Sequence, residues 1–143
     1  MTLGIASDHG GYDLKSYIIQ HCEDIAFLDL GCHSSDRVDY PLIADALCSK
    51  ILSNEIKQGI LICGTGIGIS MRANRYSEIR AAVVHDEYTA TMAKAHNNAN
   101  IICLGGRITD PKDALSFIHV WMTTVFESGR HQDRIELIDT PIQ

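Results

Sequence analysis

Residues Gly59 to Ser70 read GILICGTGIGIS. The apolar run Ile60 to Ile62 stops at Cys63, glycine then occupies every second position at Gly64, Gly66 and Gly68, and a new apolar run begins at Ile69. That pattern is a strand breaking into a tight loop ahead of a helix. Glycine has no Cβ, so alternating glycines let the backbone reach positive φ and turn successive N–H groups inward. The first turn of the following helix adds unpaired N–H donors. Such a loop suits an anion, either a bound phosphate or an oxyanion that exists only during a reaction, and the loop alone does not distinguish the two. Cys63 has two readings as well. It is a small hydrophobe closing the strand, or a thiol at the carboxyl end of a parallel strand beside helix N–H dipoles, where a lowered pKa and a reactive thiolate are expected.

Outward from this stretch, apolar runs of strand length alternate with segments of helical period, without internal repeats or low-complexity sequence. Leu3 to Ala6 reads as a first strand, and Ser7-Asp8-His9-Gly10-Gly11 as its turn into a helix with Leu14, Ile18 and Cys22 on one face. Ala26 to Leu30 is a second strand, and Gly31 to Tyr40 is the longest loop. Pro41 can open the next helix, whose stripe is Ile43, Leu47 and Ile51. After the glycine loop come a short helix through Asn74 and a strand from Ala81 to Val84 that ends in His85-Asp86. A helix with Tyr88, Met92 and Ala95 as its stripe then runs into His96-Asn97-Asn98-Ala99-Asn100. Ile101 to Leu104 is the fifth strand, with Gly105-Gly106-Arg107 as its turn. Pro111 opens a helix with the clearest amphipathic period in the chain, through Ala114, Phe117, Ile118, Trp121, Met122 and Val125, and this helix is expected to stop near Ser128-Gly129. A last helix, Arg130 to Ile138, offers only Ile135 and Ile138 as apolar contacts and needs a surface to pack on, a second subunit being one candidate.

This alternation predicts one domain over residues 1–143, an α/β Rossmann-like open sheet of five parallel strands with helices on both faces. Ligands of such sheets bind outside the carboxyl ends of the strands. Asp8-His9, Cys63 to Gly68, His85-Asp86 and Arg107 all fall in those turns, so one crevice is expected to gather them.

Composition narrows the function classes. With 143 residues, 45% hydrophobic and 21% charged, the chain is ordinary for a globular protein, and no apolar run approaches the length of a membrane span. The N-terminal stretch lacks the basic and apolar regions of a secretory signal, which gives an expectation of a cytoplasmic protein. Five cysteines, Cys22, Cys32, Cys48, Cys63 and Cys103, contain no CxxC pair. They suit reduced thiols better than disulfides or a zinc site, so no metal is implied. A net charge of −6 argues against general nucleic-acid affinity.

Against that acidic background the placement of arginines matters. Arg130 and Arg134 are four apart and share a helix face, either as solvated surface residues or as a positive site for a phosphate dianion. Asp8 is a helix N-cap acceptor or a carboxylate facing a substrate. His96 is a helix-terminal residue on the dipole or, joined to Asn97, a general acid with a hydroxyl-recognising partner. His21, His33, His119 and His131 carry no comparable signal and read as surface or packing residues.

The stretches SDHGGYDLK, VDYP, GILICGTGIGIS, RAN at Arg72 to Asn74, IRAAVVHDEYTA, AHNNAN, LGGR and GRHQDRI span nearly the whole chain in this order. Together they resemble the type B ribose-5-phosphate isomerases, whose superfamily also holds the galactose-6-phosphate isomerase subunits. The resemblance implies interconversion of D-ribose 5-phosphate and D-ribulose 5-phosphate, a step of the non-oxidative pentose phosphate pathway, with no metal or organic cofactor. It implies a homodimer or a dimer of dimers acting on a small sugar phosphate, with no nucleic acid or membrane partner. It makes Cys63 the base that moves a proton between C2 and C1, and Thr65 with the amides of Gly64, Gly66, Ile67 and Gly68 the enediolate-stabilising loop. By the same resemblance His96 is the acid that opens the furanose ring, and Asp8, grouped with the catalytic residues, also contacts substrate. His9, Asn97, Arg107, Arg130 and Arg134 match substrate and phosphate contacts, and Tyr40 lines the site. One branch of the family places a glutamate base where this chain has Ile69, so this chain resembles the cysteine branch. The family often carries Asp at the position of Asn98 and a polar residue at that of Leu42.

The residue types agree with the chemistry, because removing a proton alpha to a carbonyl builds negative charge on oxygen and requires a base with preorganised N–H donors. An isomerase of a six-carbon sugar phosphate shares every one of these features. A nucleotide-binding module is the reading from another class, since Gly-x-Gly follows a strand and Asp86 lies downstream. The third glycine of that fingerprint would fall at Ile69, however, and the Lys-Ser/Thr of a P-loop is absent.

Overall fold

Each expected strand forms. A computed structural model describes all 143 residues, with β1 (Thr2–Ser7), a short 3-10 turn (His9–Gly11), α1 (Tyr12–His21), β2 (Ala26–Asp29), α2 (Tyr40–Leu52) and β3 (Gly59–Cys63) in the first half. The second half holds α3 (Ile67–Ala73), β4 (Ala81–Val83), α4 (Glu87–Ala95), β5 (Ile101–Gly105), α5 (Pro111–Thr123) and α6 (Arg130–Asp139). All four strand pairings are parallel and the order is β2-β1-β3-β5-β4. The sheet therefore reverses direction between β1 and β3, the switch point outside which ligands of open α/β sheets bind.

The apolar residues of the sheet divide by the period of two. Leu3, Ile5, Ile60, Ile62, Ile102 and Leu104 join the core that also holds residues of α1, α4 and α5. Ala6, Leu61, Cys63, Ile101 and Cys103 join the core that holds residues of α2 and α3. The three middle strands read as continuous apolar runs because both faces are covered, and every residue of β3 and β5 is buried.

Two expectations about helices need correction. The helix opened by Pro111 ends at Thr123, not near Ser128, and Val125 is exposed. Thr123, Thr124 and Val125 are consecutive β-branched residues. The Thr123 hydroxyl bonds back to the carbonyl of His119 at 2.8 Å and that of Thr124 to Val120 at 2.6 Å, an arrangement that bends and ends helices. On α4 the buried residues are Ala90, Ala93 and Ala95, while Tyr88 points outward. Small side chains let α4 lie close against α5, whose Trp121 is fully buried. The ring of Trp121 reaches past them to donate from Nε1 to the carbonyl of Ala99 at 3.1 Å.

That bond pins the turn after α4 to the core. Replacing Trp121 with Phe leaves the Ala99 carbonyl without its buried donor and opens a void, so stability is expected to fall by about 2–3 kcal/mol. The measurement is urea unfolding, with a lower midpoint at unchanged slope.

Candidate active site

At the carboxyl edge the turns after β1, β3 and β5 are bonded into one wall. The Asp8 amide donates to the carbonyl of Ile62 at 3.1 Å, that of Gly106 to Cys63 at 2.8 Å and that of Arg107 to Gly64 at 3.1 Å. Cys63 ends β3, nearly buried, and its Sγ accepts from the Gly66 amide at 3.2 Å. Gly66 makes this possible because it sits at φ 81°, a conformation that costs glycine nothing. A Cβ there would also stand about 3.1 Å from the backbone of Leu104. The Thr65 hydroxyl accepts from the Ile67 amide at 3.2 Å, and the amides of Gly64 and Thr65 donate to no protein acceptor. The loop thus offers N–H groups beside a thiol, the arrangement that stabilises developing negative charge.

The flanking residues converge on it. Asp8, buried, accepts from the Gly11 amide at 3.2 Å through Oδ1, so its capping role holds. A Cβ on Gly10 would nonetheless meet Asp8 Oδ1, the Gly64 amide and Arg107 Nη2 all within 3.4 Å, which places the carboxylate, the loop and the guanidinium around one point. His9 Nδ1 accepts from the Val38 amide at 3.3 Å, tying the long 31–40 loop to the site. Tyr40 stands at the start of α2 with its ring over Gly68, where an added Cβ would come within 2.6 Å of it. Ile69, an aliphatic side chain with no titratable group, is fully buried in the core and supplies no base from that position.

His85 and Asp86 do not join this crevice. The chain forms β4 at the outer edge and inserts β5 beside β3, which puts the turn bearing Arg107 next to the Cys63 loop and the turn bearing His85 one strand farther out. Asp86 is engaged instead as the capping box of α4 with Thr89.

A second set of predicted residues gathers at the opposite edge. His96 caps the carboxyl end of α4, a helix that runs antiparallel to the strands, so His96 and Asn97 lie at the amino edge, across roughly 15 Å of sheet from Cys63. Arg130 and Arg134 extend from α6, both exposed and neither in an ion pair. Arg80 holds the intervening turn together, donating to the carbonyls of Asn97 at 3.0 Å and Asn98 at 3.1 Å and to the carboxylate of Asp139 at 2.7 Å. Asn98 takes φ 42°, a conformation that Asn and Asp both tolerate. Asn100 bridges Arg80 and Glu78 with its side-chain amide. Two hollows of about 690 and 740 Å³ flank Arg80 on this edge, and neither reaches Cys63.

His131 was expected at the surface or in packing, and it is buried, with its ring stacked on that of His96 at a centroid distance of 4.0 Å. Burial, the His96 ring and the nearby Arg130 hold its pKa below the ordinary histidine value. Its signal in the sequence is the spacing of four to the buried Ile135, which puts both on the inner face of α6. Glu127 and Arg80 gave no comparable sequence signal.

The match to known proteins follows this geometry. Residues 3–138 fit the model of the family described as Ribose/Galactose Isomerase. The chain belongs to that family. Within this isomerase family it is 37% identical over 138 residues to the ribose-5-phosphate isomerase B of Escherichia coli, covering 95% of this chain and 93% of the relative. The solved ribose-5-phosphate isomerase B of Clostridium thermocellum superposes with a TM-score of 0.94 at 41% identity, covering 97% and 95% of the two chains. That of Mycoplasma genitalium, solved with bound ribulose 5-phosphate, does so at 0.91 and 39%, covering 96% and 93%.

The five free thiols differ in setting. Burial first, then the charge of Asp45, pushes Cys48 up to about 12, and burial holds Cys103 well above the ordinary thiol value. A raised pKa leaves fewer thiolates at a given pH. Iodoacetamide at pH 8 is therefore expected to leave Cys48 and Cys103 unmodified in the native chain, read by peptide mass spectrometry, and to modify both after urea denaturation.

Proposed function

We propose that the chain is an aldose-ketose isomerase that interconverts D-ribose 5-phosphate and D-ribulose 5-phosphate through an enediolate. The observation that carries the reading is the Cys63 thiol at the sheet's switch point with the Gly66 amide aimed at its sulfur and the neighbouring Gly64 and Thr65 amides unpaired. In this reading the Cys63 thiolate takes the proton from C2 of the open-chain aldose and returns it to C1. The loop amides, with Thr65, stabilise the oxyanion that forms between these steps. Asp8 accepts from a substrate hydroxyl beside the loop. His96 protonates the ring oxygen to open the furanose, and Asn97 recognises a sugar hydroxyl. His9, Arg107, Arg130 and Arg134 hold the phosphate, so that binding energy remote from the reacting carbons orients a flexible sugar. Five free thiols fit a reducing compartment and a cytoplasmic protein.

The division of these residues between two edges supports a homodimer in which Cys63 of one chain works with His96 of the other. The apolar side chains of Leu42, Ile67 and Met71, exposed near the Cys63 loop, support a partner surface there.

Two experiments test this. Assayed across pentose and hexose phosphates, the wild-type chain is expected to convert ribose 5-phosphate fastest, and Cys63→Ala to lose more than 95% of that rate, or about 2 kcal/mol, while keeping its fold by circular dichroism. A faster hexose phosphate, or an active Cys63→Ala protein, overturns the assignment. The second experiment unfolds and refolds Cys63→Ala and His96→Asn chains together. A mixed pair carries both lesions in one site and none in the other, so random pairing is expected to restore about a quarter of wild-type activity. No recovery, with mixed pairs demonstrated by native mass spectrometry, places both residues in one chain's site.

A further inference from the structure

The amino edge carries a cluster that the isomerase reading does not use in full. One ligand atom from each of His96, Glu127 and His131 lies within 4.8 Å of the others. The Glu127 carboxylate stands 3.7 Å from Nε2 of His96 and 3.6 Å from Nε2 of His131. Backbone bonds between neighbouring segments hold the three in place. The Glu127 amide donates to the carbonyl of Ala95 at 3.0 Å, next to the cap residue His96, and the His131 amide donates to Ser128 at 3.1 Å. The His131 side chain is only 7% exposed, makes no hydrogen bond and stands opposite the carboxylate, with its ring nitrogens left a little solvent contact, since Ser7 Oγ is the one fully buried side-chain polar atom without a partner.

We propose that His96, Glu127 and His131 bind a divalent transition-metal ion of the Zn²⁺ class, and that the bound ion withdraws His96 from proton transfer. Two imidazoles and one carboxylate select Zn²⁺ or Co²⁺ over Mg²⁺ or Ca²⁺, and three protein ligands leave a fourth position open to water. Bond lengths of 2.0–2.1 Å in a tetrahedron place ligand atoms about 3.4 Å apart, so the two carboxylate separations, one to each oxygen, need to close by a few tenths of an ångström, and the imidazole pair, within 4.8 Å, by up to about 1.4 Å. The rings stack at 14°, and their lone pairs converge once one ring turns. His96, whose side chain is 38% exposed and without a hydrogen bond, is free to do so. The guanidiniums of Arg130 and Arg134 on the same helix oppose a bare cation, which makes binding reversible and weaker than in a structural zinc site. Occupancy ties up Nε2 of His96, and its effect on turnover rests on the ring-opening role given above, whereas binding does not.

The test titrates metal-free protein with Zn²⁺ against a chromophoric chelator and records the visible spectrum with Co²⁺. One ion per chain is expected, with affinity falling at least about tenfold in Glu127→Gln and in His131→Asn, since even outer-shell changes cost that much. Cobalt d–d bands are expected without a sulfur-to-cobalt charge-transfer band. Should His131→Asn fail to fold, Glu127→Gln decides alone, because its exposed side chain holds no other bond. In activity assays Zn²⁺ is expected to slow conversion of the cyclic aldose more than proton exchange at C1 of the ketose, which needs no ring opening. Unchanged affinity in Glu127→Gln or a thiolate charge-transfer band overturns the metal site, and equal slowing of both reactions with binding intact overturns the withdrawal of His96 from ring opening. Metal binding with these dependences in a chain that isomerises no sugar phosphate would overturn the functional reading and leave the metal site standing.

Discussion

The bond from the Gly106 amide to the Cys63 carbonyl, with its neighbour from Arg107 to Gly64, fixes where everything at the carboxyl edge stands. Both depend on β5 pairing directly with β3, in the register Cys63 to Gly105. That pairing requires the chain to lay down β4 on the outside first and return. The reward for this longer route is positional: the turn that carries a guanidinium ends beside the turn that carries the thiol. Gly105 and Gly106 let the two turns meet, since a Cβ on Gly105 would come within 2.9 Å of the Thr65 backbone. A ladder bond inside a parallel sheet thereby sets the distance between two side chains that belong to different crossovers.

Much of this was legible from residue order. Strand positions followed from Ile- and Leu-rich runs bounded by glycine, because strands covered on both faces cannot hide among polar residues. The Cys63 loop was legible because glycine at alternate positions has few other uses. Strand order was not, since the sequence of an α/β chain carries no local mark of which neighbour a strand will choose, and that is why His85-Asp86 were placed in the crevice and are not there. The end of α5 was missed for a different reason. Val125 continues the apolar period of Ala114, Phe117, Ile118 and Trp121, but the hydroxyls of Thr123 and Thr124 compete locally for the helix carbonyls, and periodicity does not register that competition.

The HNNAN segment shows how one run of similar residues divides its labour. Asn98 takes a backbone conformation closed to most side chains, Asn100 bonds Arg80 and Glu78, and Asn97 keeps its side-chain amide free while its carbonyl is held by Arg80. Residue type alone does not separate the three asparagines, and it is the resemblance that singles out Asn97. The positions of Arg80 and Asp139, brought from the start of β4 and the end of α6, separate the scaffold members from the one left available.

The partition of the sheet into two cores has a consequence for how such a chain can change over generations. Alternate residues of β3 face opposite helical layers, so a substitution beneath Trp121 and one beneath α2 or α3 share no direct neighbours, and their effects should add. Cys63 belongs to the α2/α3 layer. The α1/α4/α5 layer can therefore drift and compensate within itself while the thiol's packing feels only the backbone between them. Repacking on the far side of the sheet is then expected to reach the thiol only through movement of β3 itself.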